Sequence, residues 1–316
     1  MDSDPIVVGI DVAAAQLDVA VEGERRPWQV PNTAAGIARL VAELTPRAVR
    51  LVVLEVTGGY EAAVVAALGV AELPVAVINP RQVREFARAT GVRAKTDALD
   101  ARVLARFGAV VNPEPRPLPT ADVLALRALA TRRRQLVEMI IAEQQRRRGV
   151  PSRVLAQIAT HVAWLREQVA ALDAEVQVLI AASPLWRVQE DLLRGVPGVG
   201  PVLTLALLSG LPELGRLDRK AIAALVGVAP LNRDSGTFRG KRTVWGGRAT
   251  VRATLYLATL VATMHNPLIR AFYHRLLAAG KPQKLALTAA MRKLLTILNA
   301  MMRDGTPWNA VHAQTP

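Results

Sequence analysis

Cysteine is absent from the 316-residue chain, and histidine occurs only four times. The first absence excludes disulfide bonds, thiolate nucleophiles and cysteine metal sites, and it fits a reducing cytoplasm. Four scattered histidines also disfavour a histidine metal site. Metal chemistry through sulfur or imidazole ligands is therefore not expected.

The sequence shows neither the pattern of a secretion signal nor an unbroken membrane-spanning run. Residues 1–5 lead directly into the strand-like residues 6–10, without the basic and apolar segments of a signal peptide. The uncharged stretch 195–212 is interrupted by Pro197, Pro201 and four glycines, which is typical of soluble core. We expect a cytoplasmic protein with no membrane association.

Acidic residues become scarce toward the end of the sequence. The net charge is +14, and the residues after Pro230 include 13 lysines and arginines but only two acidic residues. A surface of one charge sign repels itself unless a polyanion neutralises it, so nucleic acid is the natural partner. Ordinary solubilising charge or a membrane-surface patch is the alternative interpretation.

The first 112 residues predict an α/β domain. Apolar, β-branched runs predict strands at residues 6–12, 17–21, 28–30, 49–56 and 75–78. Periodic apolar residues predict helices at residues 34–44, 60–71, 80–89 and 96–111. Three strands followed by alternating helices and strands indicate an α/β fold.

Prolines mark the end of this domain. Four of them fall within residues 112–119, so we predict a stiff linker at 113–120. Two helical stretches follow over 121–183, divided by Gly149-Val-Pro151. Apolar residues from Val162 to Leu179, at alternating spacings of three and four, form a heptad seam. The seam predicts a helical hairpin or an oligomerising coiled coil, with packing inside one chain as the alternative.

Residues 184–316 are predicted to form a mainly α-helical C-terminal domain with glycine-rich breaks. One break, Leu193-Arg-Gly-Val-Pro-Gly-Val-Gly200-Pro-Val-Leu, is similar to the hairpin of a helix-hairpin-helix element, whose glycine amides can hold a phosphate. A plain turn between core helices is the alternative.

Four acidic residues lie where an α/β sheet places its ligands. Asp11 and Glu55 each end a strand, and Asp97 and Asp100 share one face near the start of a helix. Converging carboxylates repel one another unless cations neutralise them, so convergence predicts bound Mg²⁺ or Mn²⁺. Two such ions can promote in-line displacement at a phosphodiester. Taken singly, the same residues are also typical of strand-end caps, surface positions and helix N-terminal charges.

A second candidate group surrounds Ser235, which lies in an Asp-Ser-Gly triplet. A hydroxyl needs help to act as a nucleophile, and nearby guanidinium groups can bind a phosphate and stabilise its developing charge. Most Asp-Ser-Gly triplets are simple turns, which is the alternative interpretation. The basic residues that we assign to nucleic-acid binding are Arg233, Arg239, Lys241, Arg242, Arg248 and Arg252.

A succession of short motifs spans the chain. The N-terminal motifs are Gly9-Ile-Asp11-Val, Leu54-Glu55-Val-Thr-Gly-Gly-Tyr60-Glu61, Val77-Ile-Asn79-Pro80 and Lys95-Thr96-Asp97-Ala-Leu-Asp100-Ala101. The C-terminal motifs are Pro197-Gly-Val-Gly200-Pro, Val226-Gly-Val-Ala-Pro230, Asp234-Ser235-Gly236, Gly247-Arg248 and His265-Asn266-Pro267. In content and order the set resembles the DEDD transposases of IS110 insertion sequences, also called bridge-RNA-guided recombinases.

The resemblance implies an RNase H-like (RuvC-like) N-terminal domain that binds magnesium, or manganese, through Asp11, Glu55, Asp97 and Asp100. It implies that Ser235 attacks DNA and forms a transient covalent link to the DNA backbone. The implied partners are donor and target DNA, a non-coding bridge RNA that pairs with both, and further copies of the chain in a dimer or tetramer. A prokaryotic, nucleoid-associated location would follow.

Two other functions stay open. A RuvC-like hydrolytic junction nuclease would use the same acidic residues with water as the nucleophile, which leaves Ser235 unexplained. A non-catalytic nucleic-acid-binding protein would use the basic C-terminal end alone. Metal-dependent strand cleavage separates the two enzymes from the binding protein.

Overall fold

The computed structural model of the chain describes residues 5–92, 97–115, 120–231, 234–235, 238–240 and 242–309. The side chains of residues 97–99, 234, 238 and 239 lie outside this description. The chain forms two compact units, with their boundary between Pro119 and Thr120. The finer division into 1–112, 113–120, 121–183 and 184–316 stays a prediction.

A five-stranded mixed sheet forms the centre of the first unit. Its strands are β1 (Ile6–Val12), β2 (Gln16–Val21), β3 (Trp28–Pro31), β4 (Val49–Glu55) and β5 (Val75–Ile78), in the order β3-β2-β1-β4-β5. The β1–β2 and β2–β3 pairs are antiparallel, whereas the β1–β4 and β4–β5 pairs are parallel. All five strands were predicted from the sequence, and this arrangement confirms the RNase H-like fold.

Helices cover both faces of the sheet because the strands alternate apolar residues between the two faces. On one face, Val8, Ile10 and Val12 share a core with α1 (Ala34–Leu44) and α2 (Ala62–Val70). On the other face, Val7 and its β4 neighbours share a core with α3 (Pro80–Ala89) and α4 (Asp97–Val111).

The second unit begins with a long helical hairpin. Helices α5 (Ala121–Gln145) and α6 (Ser152–Ala182) pack on each other, and Arg133 forms an ion pair with Asp173 across them, with an N–O distance of 2.6 Å. The heptad residues Val162, Leu165 and Val176 are buried within this single chain. The other seam residues, Val169, Leu172 and Leu179, are only partly buried.

Six more helices complete the second unit and enclose its main apolar core. They are α7 (Pro184–Arg194), α8 (Pro201–Gly210), α9 (Arg219–Val226), α10 (Ala249–His265), α11 (Pro267–Ala278) and α12 (Gln283–Asp304). Of the helices in the described part of the chain, α12 alone has the length and apolar composition of a membrane span. Half of that span is buried, and six α12 residues belong to the main apolar core, so α12 is placed as a core helix.

Four two-residue strands, which the sequence did not predict, lie between α9 and α10. They are β6 (Pro230–Leu231), β7 (Asp234–Ser235), β8 (Phe238–Arg239) and β9 (Thr243–Val244). Strand β6 pairs with β9, and β7 pairs with β8, both antiparallel. The β7–β8 pair lies between β6 and β9 in the sequence, so the two ladders are nested. We call the segment 230–244 the serine arm.

Candidate active site

Asp11 and Glu55 lie side by side at one edge of the sheet. Ile10 pairs with Leu54 in the parallel β1–β4 ladder, so the next residue on each strand lies at the same level. Each acidic residue lies an even number of residues after a member of the core that faces α4, namely Val7 on β1 and Val53 on β4. Side chains at even spacing on a strand point to the same face. The two acidic residues therefore belong to the same face as well as the same edge, and their role as metal ligands stays a prediction.

Two glycine contacts show where α4 begins relative to these strands. A Cβ atom on Gly108 would lie under 3.0 Å from side-chain atoms of Val7 and Val53, and one on Gly9 would lie equally close to backbone atoms of Ala101 and Ala105. The helix therefore runs opposite to β1, with its start beyond Gly9. Its first turn, which contains Asp97 and Asp100, lies at the level where β1 and β4 end.

The carboxylates of this edge have a donor set suited to a hard divalent cation, since only oxygen atoms are offered. Asp11, Glu55 and Asp100 are partly buried, and each has an interaction partner inside the protein. Among the side chains that the structure describes, no three Asp, Glu, His or Cys residues are grouped closely enough to hold a metal ion. The predicted fourth ligand, the side chain of Asp97, lies outside the described set.

Sequence reasoning missed a fifth acidic residue on the same face. Asp18 is the direct cross-strand partner of Asp11 and is only 2% exposed. Its carboxylate accepts hydrogen bonds from the side-chain amides of Gln16, at 3.1 Å, and Gln29, at 2.7 Å. Burial of a charge requires such partners. The only sequence signal was the position of Asp18 between the apolar Leu17 and Val19. Its burial depends on α4, which packs against β2 and is far from it in the sequence.

The loop after Glu55 is shaped by glycine and held by Glu61. Gly58 and Gly59 have φ values of 78° and 116°, which side chains rarely tolerate. The Glu61 carboxylate accepts hydrogen bonds from the Thr57 amide at 3.1 Å, the Thr57 hydroxyl at 3.0 Å and the Gly59 amide at 2.9 Å. Burial by itself would raise the pKa of Glu61, but these bonds outweigh it and the pKa is lowered.

Ser235 lies in the β7–β8 ladder of the serine arm. It pairs with Phe238, and its side chain is exposed. Of the neighbouring basic residues, Arg242 is exposed. Arg233, Lys241 and the side chain of Arg239 lie outside the described residues.

The two remaining basic residues of this group make contacts within the protein. Arg248 donates two hydrogen bonds to the Glu213 carboxylate, the longer at 2.6 Å, and another to the Gly210 carbonyl. Burial lowers the pKa of the adjacent Arg127, and the charge of Arg248 lowers it further. Arg252 donates to backbone carbonyls at the base of the serine arm.

The glycine-rich hairpin between α7 and α8 is packed as a turn between core helices. Val196 and Val199 are buried, and a Cβ on Gly198 would lie under 3.0 Å from the backbone of Ala262 in α10. The buried Asn266 caps α11 and donates to the Pro197 carbonyl at 3.2 Å. The motifs Pro197-Gly-Val-Gly200-Pro and His265-Asn266-Pro267 are thus in direct contact. This contact gives a structural reason for the asparagine at position 266.

Fold and site together define a class of protein. An α/β unit with carboxylates at the carboxyl edge of its sheet, joined to a basic helical unit, is typical of enzymes that act on nucleic acid strands. Residues 8–158 match a family model described as a transposase, of the DEDD type of IS110, and residues 190–274 match the model described as Transposase IS116/IS110/IS902 family. The chain belongs to the IS110 family of transposases.

Individual relatives agree with this assignment. The chain is 30% identical over 240 residues to the pilin gene-inverting protein of Moraxella bovis, covering 74% of each sequence. It is 30% identical over 155 residues to an uncharacterised 43.6 kDa protein of the insertion element IS110 from Streptomyces coelicolor, covering 48% of this chain and 37% of that one. The motif resemblance is confirmed, and the protein is a transposase of the DNA-cleaving, metal-using type.

Among solved structures, the chain is similar to Thermus thermophilus RuvC in complex with a Holliday junction substrate. The match has a TM-score of 0.29 and 18% identity, and it covers 36% of this chain and 99% of that chain. The assignment of the fold rests on the order and direction of the five strands.

Proposed function

We propose that this transposase cuts and rejoins DNA strands through a serine-linked intermediate, and that a bridge RNA selects the sites. The observation that carries the proposal is the exposed position of Ser235 in the β7–β8 ladder of the serine arm, in the more basic part of the chain. A hydrolytic nuclease uses water as the nucleophile and leaves Ser235 unexplained.

The acidic edge of the sheet is the proposed metal site. Asp11, Glu55, Asp97 and Asp100 would hold magnesium or manganese through carboxylate oxygens. A divalent cation bound there would polarise the scissile phosphate and favour loss of the nucleophile's proton. The shared face of Asp11 and Glu55, and the start of α4 at their level, support this assignment.

Ser235 supplies the nucleophile of the proposed reaction. Its hydroxyl loses a proton, and Oγ forms a bond to phosphorus as one bridging P–O bond of the DNA strand breaks. The leaving oxygen takes up a proton. Because the serine phosphodiester conserves the bond energy, attack by a hydroxyl of a second strand rejoins DNA without a nucleotide cofactor. The exposed Arg242 is suited to stabilise charge on the phosphate.

Sequence choice is assigned to RNA because base pairing can specify two DNA sites at once. The 13 basic residues after Pro230 support binding of several phosphate backbones. The related Moraxella bovis protein is named for inverting a gene, and inversion of DNA consists of cutting and rejoining. A cytoplasmic location at the nucleoid follows from this role.

A reconstituted reaction tests the proposal. The protein, its flanking non-coding RNA, and cognate donor and target DNA are incubated with Mg²⁺, and joined DNA and a protein–DNA adduct are measured. We expect both products from wild type and neither from Ser235→Ala or Asp11→Ala. Recombination by Ser235→Ala, or cleavage without any trapped adduct in wild type, would favour the water-using nuclease.

A second arm of the same experiment addresses the oligomer, which we propose to be a dimer or tetramer with composite sites. Asp11→Ala and Ser235→Ala proteins are mixed before RNA is added. If the acidic residues of one protomer act with Ser235 of another, the mixture regains part of the activity that each variant lacks alone. If the mixture forms mixed oligomers but stays inactive, the acidic residues and Ser235 of each site would be assigned to the same chain.

A further inference from the structure

The base of the serine arm is formed by the chain segments next to its two ends. The two chain segments that enter and leave the arm meet at Gly227 and Gly247, whose φ values are 78° and 70°. A Cβ atom on Gly247 would lie under 3.0 Å from backbone atoms of Val226 and Gly227, and one on Gly227 equally close to the Gly246 backbone. The backbones therefore touch, and only glycine fits there.

One arginine bridges the same two segments. Nη1 of Arg252, in the first turn of α10, donates to the Val226 carbonyl at 3.3 Å and to the Gly246 carbonyl. The Arg248 amide donates to the Leu225 carbonyl at 2.9 Å, and the Arg248 side chain is held by Glu213. The base of the arm is thus fixed to α9 and α10, which belong to the core of the second unit.

We propose that Arg252, together with the Gly227–Gly247 contact, is a positioning device that sets the direction in which the arm presents Ser235. This inference rests on the proposed role of Ser235 as nucleophile. It gives Arg252 a different role from nucleic-acid binding, since its Nη1 group is committed to backbone carbonyls at the base of the arm.

The position of Ser235 along the chain explains why the base matters. The β6–β9 ladder follows the base directly, and Ser235 lies in the β7–β8 ladder, farther from the base along the chain. A change in the direction of the β6–β9 ladder is therefore expected to shift Ser235. Misplacement of a reacting atom by about 1 Å can lower a rate about 100-fold. A small change at the base is therefore expected to affect the chemical step more than binding.

Gly247→Ala and Gly246→Ala form a matched pair of variants. Both glycines have left-handed φ values, 70° and 72°, but a Cβ meets the opposing backbone only at position 247, whereas position 246 has nothing within 4 Å. We expect Gly247→Ala to reduce the rate of adduct formation at saturating DNA at least 10-fold, and Gly246→Ala to change it much less. Equal effects would overturn the role of the backbone contact.

Arg252→Lys and Arg242→Ala separate positioning from phosphate binding. Lysine keeps the charge but cannot reproduce the planar guanidinium, so we expect a lower saturating rate with unchanged DNA affinity and salt dependence. Loss of a phosphate contact instead weakens binding and reduces the slope of log K against log salt by about one, which we expect for Arg242→Ala. If Arg252→Lys lowers affinity and not the saturating rate, the inference is wrong.

The absence of cysteine provides a readout that does not depend on activity. Ser235→Cys creates a unique thiol for a spin label, and its mobility is measured by electron paramagnetic resonance with and without Arg252→Lys or Gly247→Ala. We expect both changes to increase label mobility while the thermal unfolding transition is retained. Unchanged mobility would overturn the inference. If mobility rises but Ser235→Ala still recombines DNA, the positioning device stands and the nucleophile assignment fails.

Discussion

Gly9 of β1 and Ala101 of α4 are in direct backbone contact. A Cβ atom at position 9 would lie closer than 3.0 Å to the Ala101 carbonyl oxygen, so no other residue fits between strand and helix. This contact sets the level at which α4 begins, and thereby brings the turn that contains Asp100 to the level at which β1 and β4 end. The glycine of the first motif therefore sets the position of α4 relative to the strand ends that carry Asp11 and Glu55.

We expect Gly9→Ala to destabilise the protein by about 3 kcal/mol, because overpacking here is against backbone that cannot move aside. Chemical denaturation monitored by circular dichroism measures the change. Gly195→Ala is the control, since its Cβ would make only ordinary contacts of 3.4 Å or more. A Gly9→Ala protein as stable as wild type would mean that α4 can shift, and its metal-dependent cleavage should then still be reduced.

Glu61→Gln should remove a pH-dependent part of the stability. The lowered pKa of Glu61 means that its contribution is present above the unfolded-state pKa and is lost as pH falls through the lower folded-state pKa. We expect wild type to exceed the variant by about 1 kcal/mol near neutral pH, because partial exposure weakens these charge-assisted bonds.

Denaturation at pH values from 7 to 3 measures this difference, which should shrink below about pH 4, near the ordinary pKa of glutamate. The exposed Glu43, replaced by Gln, serves as the control and should follow wild type throughout. A difference between wild type and Glu61→Gln that grows as the pH falls would contradict the assigned direction of the pKa shift.

Glu213→Gln should destabilise the second unit. The Arg248–Glu213 pair is mostly shielded, with side chains 27% and 19% exposed, and the nearby Arg127 adds positive charge that Glu213 offsets. We expect a loss of about 2 kcal/mol, below the value of about 3 kcal/mol or more for a fully buried pair. Glu138→Gln, which removes an exposed helix pair with Arg134, should change the thermal midpoint little. Equal shifts of the two midpoints would contradict the prediction.

Binding of nucleic acid should weaken steeply with salt, because phosphate contacts by the basic residues after Pro230 release counterions. Fluorescence anisotropy with labelled RNA and DNA at 50 and 200 mM salt measures the effect. We expect at least a 100-fold loss of affinity for contacts to about six phosphates. RNA should bind in the absence of DNA, and an affinity that is flat between the two salt concentrations would count against the electrostatic interface.

Local patterns determined much of the first unit. The alternation of apolar residues predicted all five strands of its sheet, and helical periodicity predicted α1 to α4, because both patterns record which side of an element is buried. The ends of β1 and β4 then placed Asp11 and Glu55 at one edge. The short strands β6 to β9 escaped prediction because two residues cannot display a period.

Only the tertiary structure decided which partner each residue meets. Positive charge predicted phosphate ligands at Arg248 and Arg252, which stays a prediction, and the structure adds their contacts with Glu213 and with two backbone carbonyls. The spacing of apolar residues predicted a seam on α6, but only the structure showed that α5 of the same chain packs against α6. Partner identity depends on contacts between residues far apart in the sequence, for which a local pattern carries no signal. The burial of Asp18 under α4 has the same origin.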